Sequence, residues 1–146
     1  NPWVKWAASG ILLGLVFANI YQARNTLNKT DYRNEPQFWQ EIARELAPYG
    51  PAVGLTQDYG LRLTYWGGIS IANWFTADEI QLRQASGQQV DFDQLFEEKT
   101  ENANAFLVTL VDEYAKQEDL KHILDGNYPQ VSSTPGVWLY DLRKTK

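Results

Sequence analysis

The stretch 105–111, AFLVTLV, decides the fold that we predict for this chain of 146 residues. It is apolar on both faces of a strand, as expected at the centre of a parallel sheet that helices cover on both sides. Working outward, the short apolar run 52–56, AVGLT, predicts a second buried strand. The run 69–74, ISIANW, predicts a third, so the chain holds the centre of a mostly parallel sheet.

Helical patterns separate these predicted strands. Apolar residues recur at helical spacing over 38–46, and the breakers in PYGP at 48–51 end that helix. Further short helices are predicted at 61–66, 77–86, 91–101, 112–116 and 119–124, with Asp91 as the N-cap of the helix at 91–101. Because strands that alternate with helices form parallel sheets with helices on both faces, we predict a small three-layer α/β/α domain.

A hairpin is predicted at the C-terminal end of this domain. Residues 128–133 and 137–142 look like two strands, and the sequence STPG at 133–136 between them is typical of a turn. Trp138 and Tyr140 favour a strand in the second segment. The hairpin would add an antiparallel member to the sheet.

The beginning of the chain has a different composition from the rest. Residues 6–21, WAASGILLGLVFANIY, carry no charge, and the aromatic residues Trp3, Trp6 and Tyr21 sit where interfacial anchors belong. Since a membrane-spanning helix needs about 20 mainly apolar residues, we predict one transmembrane helix over 1–23. A juxtamembrane linker over 24–36 and a soluble α/β domain over 37–146 would come after it.

Three other interpretations of the apolar segment compete with this one. A buried core helix has a similar composition, although 16 uninterrupted apolar residues are long for one. A cleaved signal peptide needs a small-residue cleavage site, and Phe17-Ala18-Asn19 is a poor one. An interfacial helix needs a charged face, which the segment lacks. Basic residues at Arg24, Lys29 and Arg33 favour a cytoplasmic position for the domain after the helix.

Composition excludes several classes of function. The chain has no cysteine and one histidine, which excludes a cysteine-ligated or multi-histidine metal site and a thiol nucleophile. The formal net charge of −5 argues against nucleic acid as a partner, because nucleic-acid binders need a basic surface. No phosphate-binding glycine motif occurs either. We therefore expect no metal, no cofactor and no nucleic acid.

The candidate site residues come after two of the predicted strands. Ligands of open α/β sheets gather beyond the carboxyl ends of the strands. Asp58, Tyr59 and Arg62 come after the first strand, and Asp112 comes after the third. We predict these four as ligand-contact candidates. The alternative for both aspartates is that each caps the next helix of the chain, or is only solvated.

Six blocks of the chain carry a resemblance to a known family. They are FWQEIAREL at 38–46, VGLT at 53–56, DYGLRLTYWGG at 58–68, FLVT at 106–109, LKHIL at 120–124 and VWLYDLR at 137–143. With these blocks the chain, over nearly its whole length, resembles the C-terminal soluble tail of bacterial polytopic glycosyltransferases. That group is similar to the dolichyl-phosphate-mannose protein mannosyltransferases.

The resemblance implies an accessory role for this chain. In the family, the last transmembrane helix leads into a small extracytoplasmic α/β domain, and the enzyme transfers a sugar from a polyprenyl-phosphate donor. Its catalytic carboxylate lies in an early extracytoplasmic loop, which we expect before Asn1, so no catalytic residue maps onto this chain. The implied partners are the membrane, the rest of the parent protein, and the polyprenyl-phosphate sugar or its acceptor. The implied location is the membrane, with the soluble domain extracytoplasmic, against the basic-residue count.

Two other functions stay open from the sequence. One is a membrane-anchored extracytoplasmic module that binds or senses its own ligand at the strand ends. The other is a small independent enzyme that would use Asp58 together with Asp112.

Overall fold

The computed structural model describes residues 2–27, 33–132 and 134–144, and these divide into two compact units. The first unit spans Asn1–Asn34 and the second spans Glu35–Lys146. The first contains a single helix, α1, over Pro2–Leu27. Within the described residues, no helix is long and apolar enough to cross a membrane. The prediction of a membrane-spanning helix over 1–23 is therefore not supported, and residues 28–32 of the predicted linker lie outside the described residues.

The second unit is a mixed α/β fold around a four-stranded open sheet. The strands are β1 (Ala52–Leu55), β2 (Ala72–Asn73), β3 (Ala105–Val108) and β4 (Trp138–Asp141). Their order across the sheet is β2-β1-β3-β4. β1 pairs in parallel with both β2 and β3, whereas β4 pairs antiparallel with β3. The prediction of a mostly parallel sheet is confirmed, with 105–108 buried at its centre.

Five α-helices are described in this unit. They are α2 (Glu35–Leu46), α3 (Ala77–Ala85), α4 (Phe92–Thr100), α5 (Val111–Tyr114) and α6 (Glu118–Asn127). The short helix predicted at 61–66 is confirmed, and most of it is a π-helical turn over Leu63–Gly67 that packs on α2. Asp91 is the N-cap of α4, as predicted, and its side chain accepts a hydrogen bond from the Gln94 N–H.

The pleat of the sheet divides the buried side chains into two cores. Val53, Leu55 and Phe106 point to one face, where α4 and α6 pack. Ala52 and Leu107 point to the opposite face, where α2 covers them. Because successive side chains of a strand alternate between faces, helices on both sides are needed to keep these fully apolar strands dry.

The predicted C-terminal hairpin is formed only in part. β4 forms over Trp138–Asp141, but the preceding segment makes only one bridge, between Gln130 and Tyr140, among the residues described. On either side of this bridge, the Pro129 carbonyl accepts the Asp141 N–H and the Val131 N–H donates to the Leu139 carbonyl, while Pro129 has no N–H to extend the ladder. Ser133, in the predicted turn, lies outside the described residues.

Candidate functional site

The carboxyl ends of the parallel strands surround the candidate site. From β1 the chain crosses to β2 on one side, and β3 lies on the other side of β1. Connections that leave in opposite directions open a crevice in sheets of this kind. Here a mutual pair closes the gap between β1 and β3: Gln57 Nε2 donates to the Thr109 carbonyl at 3.2 Å, and Thr109 Oγ1 donates to Gln57 Oε1.

The opening that remains lies beside this pair, toward the ends of β1 and β2. It is a cavity of about 210 Å³, which we call the strand-end crevice. Its lining residues come mainly from the ends of both strands and the segments just beyond them: Gly54, Leu55, Thr56, Asp58, Tyr59, Asn73, Trp74, Thr76 and Leu110. Two of the four predicted contact residues, Asp58 and Tyr59, line it.

Asp58 and Tyr59 enter the crevice from an unusual backbone turn. Asp58 has φ 49° and ψ 38°, and Tyr59 has φ 53° and ψ 36°, so both are left-handed. Gly60 comes next with φ 74°. A left-handed residue other than glycine costs roughly 1–2 kcal/mol, because its Cβ crowds the neighbouring carbonyl. Because two such residues follow each other here, the surrounding structure must hold the turn in a conformation that the local backbone disfavours.

Arg62 lies next to the crevice and is held by two carboxylates. Its Nε donates to Asp58 Oδ2, and its Nη1 donates to Glu35 Oε1 at the start of α2. The Asp58 hydrogen bond is the main reason that the pKa of Arg62 lies above its ordinary value, and burial opposes it. The capping alternative is therefore wrong for Asp58, whose carboxylate binds a side chain instead of a helix terminus.

The floor of the crevice is rigid. Trp74 is buried and packs against Phe106 with ring centres 5.6 Å apart, and its Nε1 donates to Gln117 Oε1 at 2.8 Å. Gln117 Nε2 in turn donates to the Phe75 carbonyl at 3.0 Å. Every polar atom of the indole and the amide side chain is thus used inside the protein, which fixes the position of this wall.

The start of α3 forms another wall and is already capped. Thr76 Oγ1 accepts from the Glu79 N–H, while Glu79 Oε2 accepts from the Thr76 N–H, which is a complete capping box. Glu113 Oε1 accepts the Ala77 N–H at 2.5 Å. This backbone hydrogen bond is the main reason that the pKa of Glu113 lies below its ordinary value, with burial opposing. The helix terminus is therefore satisfied by the chain's own carboxylates.

Thr56 adds a buried hydroxyl group beside the left-handed turn. The residue is 6% exposed, and within the described part of the chain its Oγ1 has no hydrogen-bond partner. A buried hydroxyl group without a partner costs about 1–3 kcal/mol, so such groups are uncommon in folded proteins. Thr56 lines the crevice, so its hydroxyl group is available to a molecule bound there.

Asp112 does not join the other candidates. It is an exposed residue in the first turn of α5 and is not part of the crevice lining. It does not cap α5 either, because Leu110 holds the N-cap position without a side-chain hydrogen bond. Within the described residues, no group of three or more histidine, cysteine, aspartate or glutamate side chains could hold a metal ion.

The polar and aromatic lining residues that are not among the four predicted contact candidates are Thr56, Asn73, Trp74 and Thr76. A signal for them exists, since each lies at or just beyond the end of an apolar run that was recognised as a strand. The carboxyl-end rule applied to β2 as well as to β1 and β3 would have found Asn73 to Thr76.

The chemistry of the crevice lining is that of a site for a small polar molecule. The carboxylate of Asp58 and the amide of Asn73 supply acceptors and donors, and the Tyr59 ring supplies an apolar face with a hydroxyl group at its edge. Comparison of the chain with protein-family models, with curated proteins and with solved structures yields no match.

Proposed function

We propose that the chain is an accessory, extracytoplasmic part of a membrane glycosyltransferase that uses a polyprenyl-phosphate-linked sugar donor, and that it is not catalytic by itself. One observation carries the proposal. In the block Asp58-Tyr59-Gly60-x-Arg62, which belongs to the resemblance to that family, the first three residues form the left-handed turn, and Asp58 and Tyr59 line the strand-end crevice.

The local cost of this turn supports a functional role. Strained backbone persists where the surrounding structure dictates it, and it clusters at sites that bind or react. Neither Asp58 nor Tyr59 contributes to the core, since both side chains are exposed. A residue pair that lowers stability and packs against little is best explained by what it contacts outside the domain.

The chemistry of the crevice matches a saccharide. Sugar hydroxyl groups both donate and accept hydrogen bonds, which suits a carboxylate and an amide, and the apolar face of a sugar ring packs on an aromatic ring. A volume of about 210 Å³ is below the range of drug-sized sites, roughly 300–1,000 Å³, and is on the scale of one sugar unit. The bound saccharide would belong to the acceptor or to the lipid-linked donor.

Helix α1 supports a partner with an apolar surface. Many of its large apolar residues are exposed, and the apolar residues of the helix are not confined to one face. The exposed ones are Trp3, Trp6, Ile11, Leu13, Leu15, Val16, Phe17, Ile20 and Tyr21. A helix that is hydrophobic all round is buried in a larger protein or in lipid. We propose that the membrane-embedded part of the parent enzyme covers it.

The proposal is tested by calorimetry and by a turnover assay on the same 146-residue chain. Titration with mannose, glucose and a polyprenyl-phosphate sugar should show weak binding by the wild-type chain. Tyr59→Gly removes the ring and should raise Kd about tenfold, since one packed or hydrogen-bonded contact is worth about 1–1.5 kcal/mol. Asp112→Asn is the matched control and should bind as the wild type does.

Two outcomes would overturn the proposal. Sugar transfer catalysed by the chain alone would show that it is an enzyme in its own right. Equal saccharide affinity of the wild type and Tyr59→Gly would show that the crevice is not the saccharide site. Tight binding of a soluble ligand, with no preference for lipid-linked sugar, would favour the other function considered, a membrane-anchored extracytoplasmic binding or sensing module.

A further inference from the structure

Exposed apolar side chains of the second unit are concentrated on one short segment. In the described part of 35–146, six large apolar residues are exposed, and four of them lie within 59–66. Three of those four, Leu61, Tyr65 and Trp66, form what we call the aromatic ledge, with exposed fractions of 66%, 77% and 38%. They line a groove of about 450 Å³ together with Arg62 and Thr64.

The ledge is a rigid feature. Leu63, on the inner side of the π-helical turn, is fully buried against α2. Gly67 approaches the same helix so closely that a Cβ at this position would lie 2.7 Å from Ala43 Cβ and 3.0 Å from the Trp39 carbonyl. Thr64 Oγ1 lies 3.2 Å from the carbonyl groups of both Gly60 and Ile69. The chain therefore holds the apolar side chains outward on a fixed base.

The composition of the ledge fits the interface between water and lipid. Tryptophan and tyrosine prefer this interface because their rings are apolar and their N–H or O–H groups stay wet. The rings of Tyr65 and Trp66 meet edge to face with their centres 4.6 Å apart. Leu61 is the aliphatic member of the ledge. A contiguous apolar patch with a polar rim marks an interaction surface.

The charges around the ledge indicate which lipid surface it fits. Arg62, the cation that lines the groove, binds the carboxylates of Asp58 and Glu35, so this group presents no net positive charge to lipid phosphates. Residues 36–146 hold nine basic and sixteen acidic residues, a net charge of −7. Anionic lipids would repel such a domain, whereas a zwitterionic surface would not.

The position of the ledge along the chain agrees with this occupant. Glu35, which pairs with Arg62, is the first residue of α2, so the ledge lies where the chain enters the domain. Residues 6–21, earlier in the same chain, are uncharged, and the large apolar side chains described there are exposed. We propose that the ledge docks on the zwitterionic membrane interface, with Leu61, Tyr65 and Trp66 as its anchors. This inference does not depend on saccharide binding in the crevice.

The absence of cysteine from the chain permits a direct test. A nitroxide attached to Tyr65→Cys in the full chain, bound to phosphatidylcholine vesicles, reports its surroundings by power saturation with oxygen and with a water-soluble nickel chelate. Leu82→Cys is the matched control, because Leu82 is 72% exposed and lies on α3, outside the ledge segment. The oxygen-to-nickel accessibility ratio at residue 65 should exceed that at residue 82 several-fold.

Further measurements distinguish a lipid surface from a protein surface as the partner of the ledge. Adding Trp66→Ser to the Tyr65→Cys chain should return the ratio to the control value, and vesicles rich in phosphatidylserine should lower the ratio. Equal ratios at 65 and 82 would overturn the inference. Protection of residue 65 from both reagents would also overturn it, because a protein surface, such as a second copy of the chain, would then cover the ledge.

Discussion

Polar groups lie at two places on the sheet of this domain, and they are used differently. Around β4, Tyr140 donates to Asp125 Oδ1 at 2.6 Å and lies 3.2 Å from the Tyr114 hydroxyl. Asp141 is fully buried and binds the backbone N–H and the guanidinium of Arg143. At the strand-end crevice, by contrast, Asp58 and Tyr59 are exposed in left-handed backbone.

The comparison separates stabilising groups from candidate binding groups. Burial raises the pKa of the Tyr114 hydroxyl to about 12 and raises that of Tyr140 further, so both phenols remain protonated at any physiological pH. The groups around β4 are satisfied inside the protein and are not available to a ligand. The crevice groups face outward at a cost to the fold, and four predictions test this contrast.

Asp141→Ala should have the largest effect, a loss of about 2–3 kcal/mol in the free energy of unfolding. The carboxylate accepts three hydrogen bonds from Arg143 without exposure to water, and hydrogen bonds to charged groups are worth about 1.5–3 kcal/mol. Urea denaturation measures the loss. Asp112→Ala, an exposed carboxylate of the same type, is the control and should change stability by at most about 0.5 kcal/mol. Equal losses would remove the distinction between the two regions.

Acid should weaken the domain through the same carboxylate. The Arg143 side chain is the main reason that the pKa of Asp141 lies below its ordinary value of 3.8, and burial opposes this. A lowered folded-state pKa contributes stability that is complete above the unfolded value and is lost as pH falls through the folded value. Urea midpoints measured from about pH 6 to about pH 2 should fall at the acid end. The urea midpoint of Asp141→Asn should fall less over the same pH range. An equal fall in the wild type and the variant would show that Asp141 is not the source of the acid sensitivity.

Tyr59→Gly should stabilise the protein by about 0.5–1 kcal/mol. Relief of a left-handed residue gains about 1–2 kcal/mol, and the greater backbone entropy of glycine in the unfolded chain offsets about 0.5–1 kcal/mol. Gly68→Ala is the opposite change, because Gly68 has φ 70° and an added Cβ would meet only open space. This variant should lose about 1 kcal/mol of the free energy of unfolding. Thermal unfolding of both variants tests the strain, and a loss of stability in Tyr59→Gly would argue against it.

Asp58→Asn should have the smallest effect on stability, within about 0.5 kcal/mol. Asparagine keeps the shape and tolerates left-handed backbone, and the lost ion pair with Arg62 is partly exposed, where such pairs are worth about 0–1 kcal/mol. Saccharide affinity, measured by calorimetry, should nevertheless fall. A large stability loss with unchanged affinity would place Asp58 among the structural groups.

Much of the fold could be predicted from the sequence. The buried strands at 52–55 and 105–108 and the helices at 35–46, 77–85 and 92–100 are indicated by apolar periodicity and by caps such as Asp91. The short helix predicted at 61–66 is confirmed, but apolar spacing did not indicate its π-helical part, which is defined by i→i+5 hydrogen bonds of the backbone. The hairpin forms only in part, and Pro129 has no N–H with which to continue its ladder.

The candidate site was only half visible in the sequence. Asp58 and Tyr59 were found because they come after a strand, but so does Asp112, and no local signal distinguishes them. The crevice depends on β2 lying beside β1 and β3 lying on its other side. That order places Asn73 and Thr76 against Asp58 and leaves Asp112 outside.

The sequence by itself determined the elements and the chemistry available to them. Short-range patterns fix apolar faces, caps, the acidic charge and the absence of cysteine, because each depends on composition or on residues a few positions apart. Only the tertiary structure decided the order of the strands, the left-handed turn at Asp58 and Tyr59, and the partners of Arg62. These features depend on contacts between residues far apart in the chain. Such packing stabilises local conformations that short-range sequence patterns disfavour.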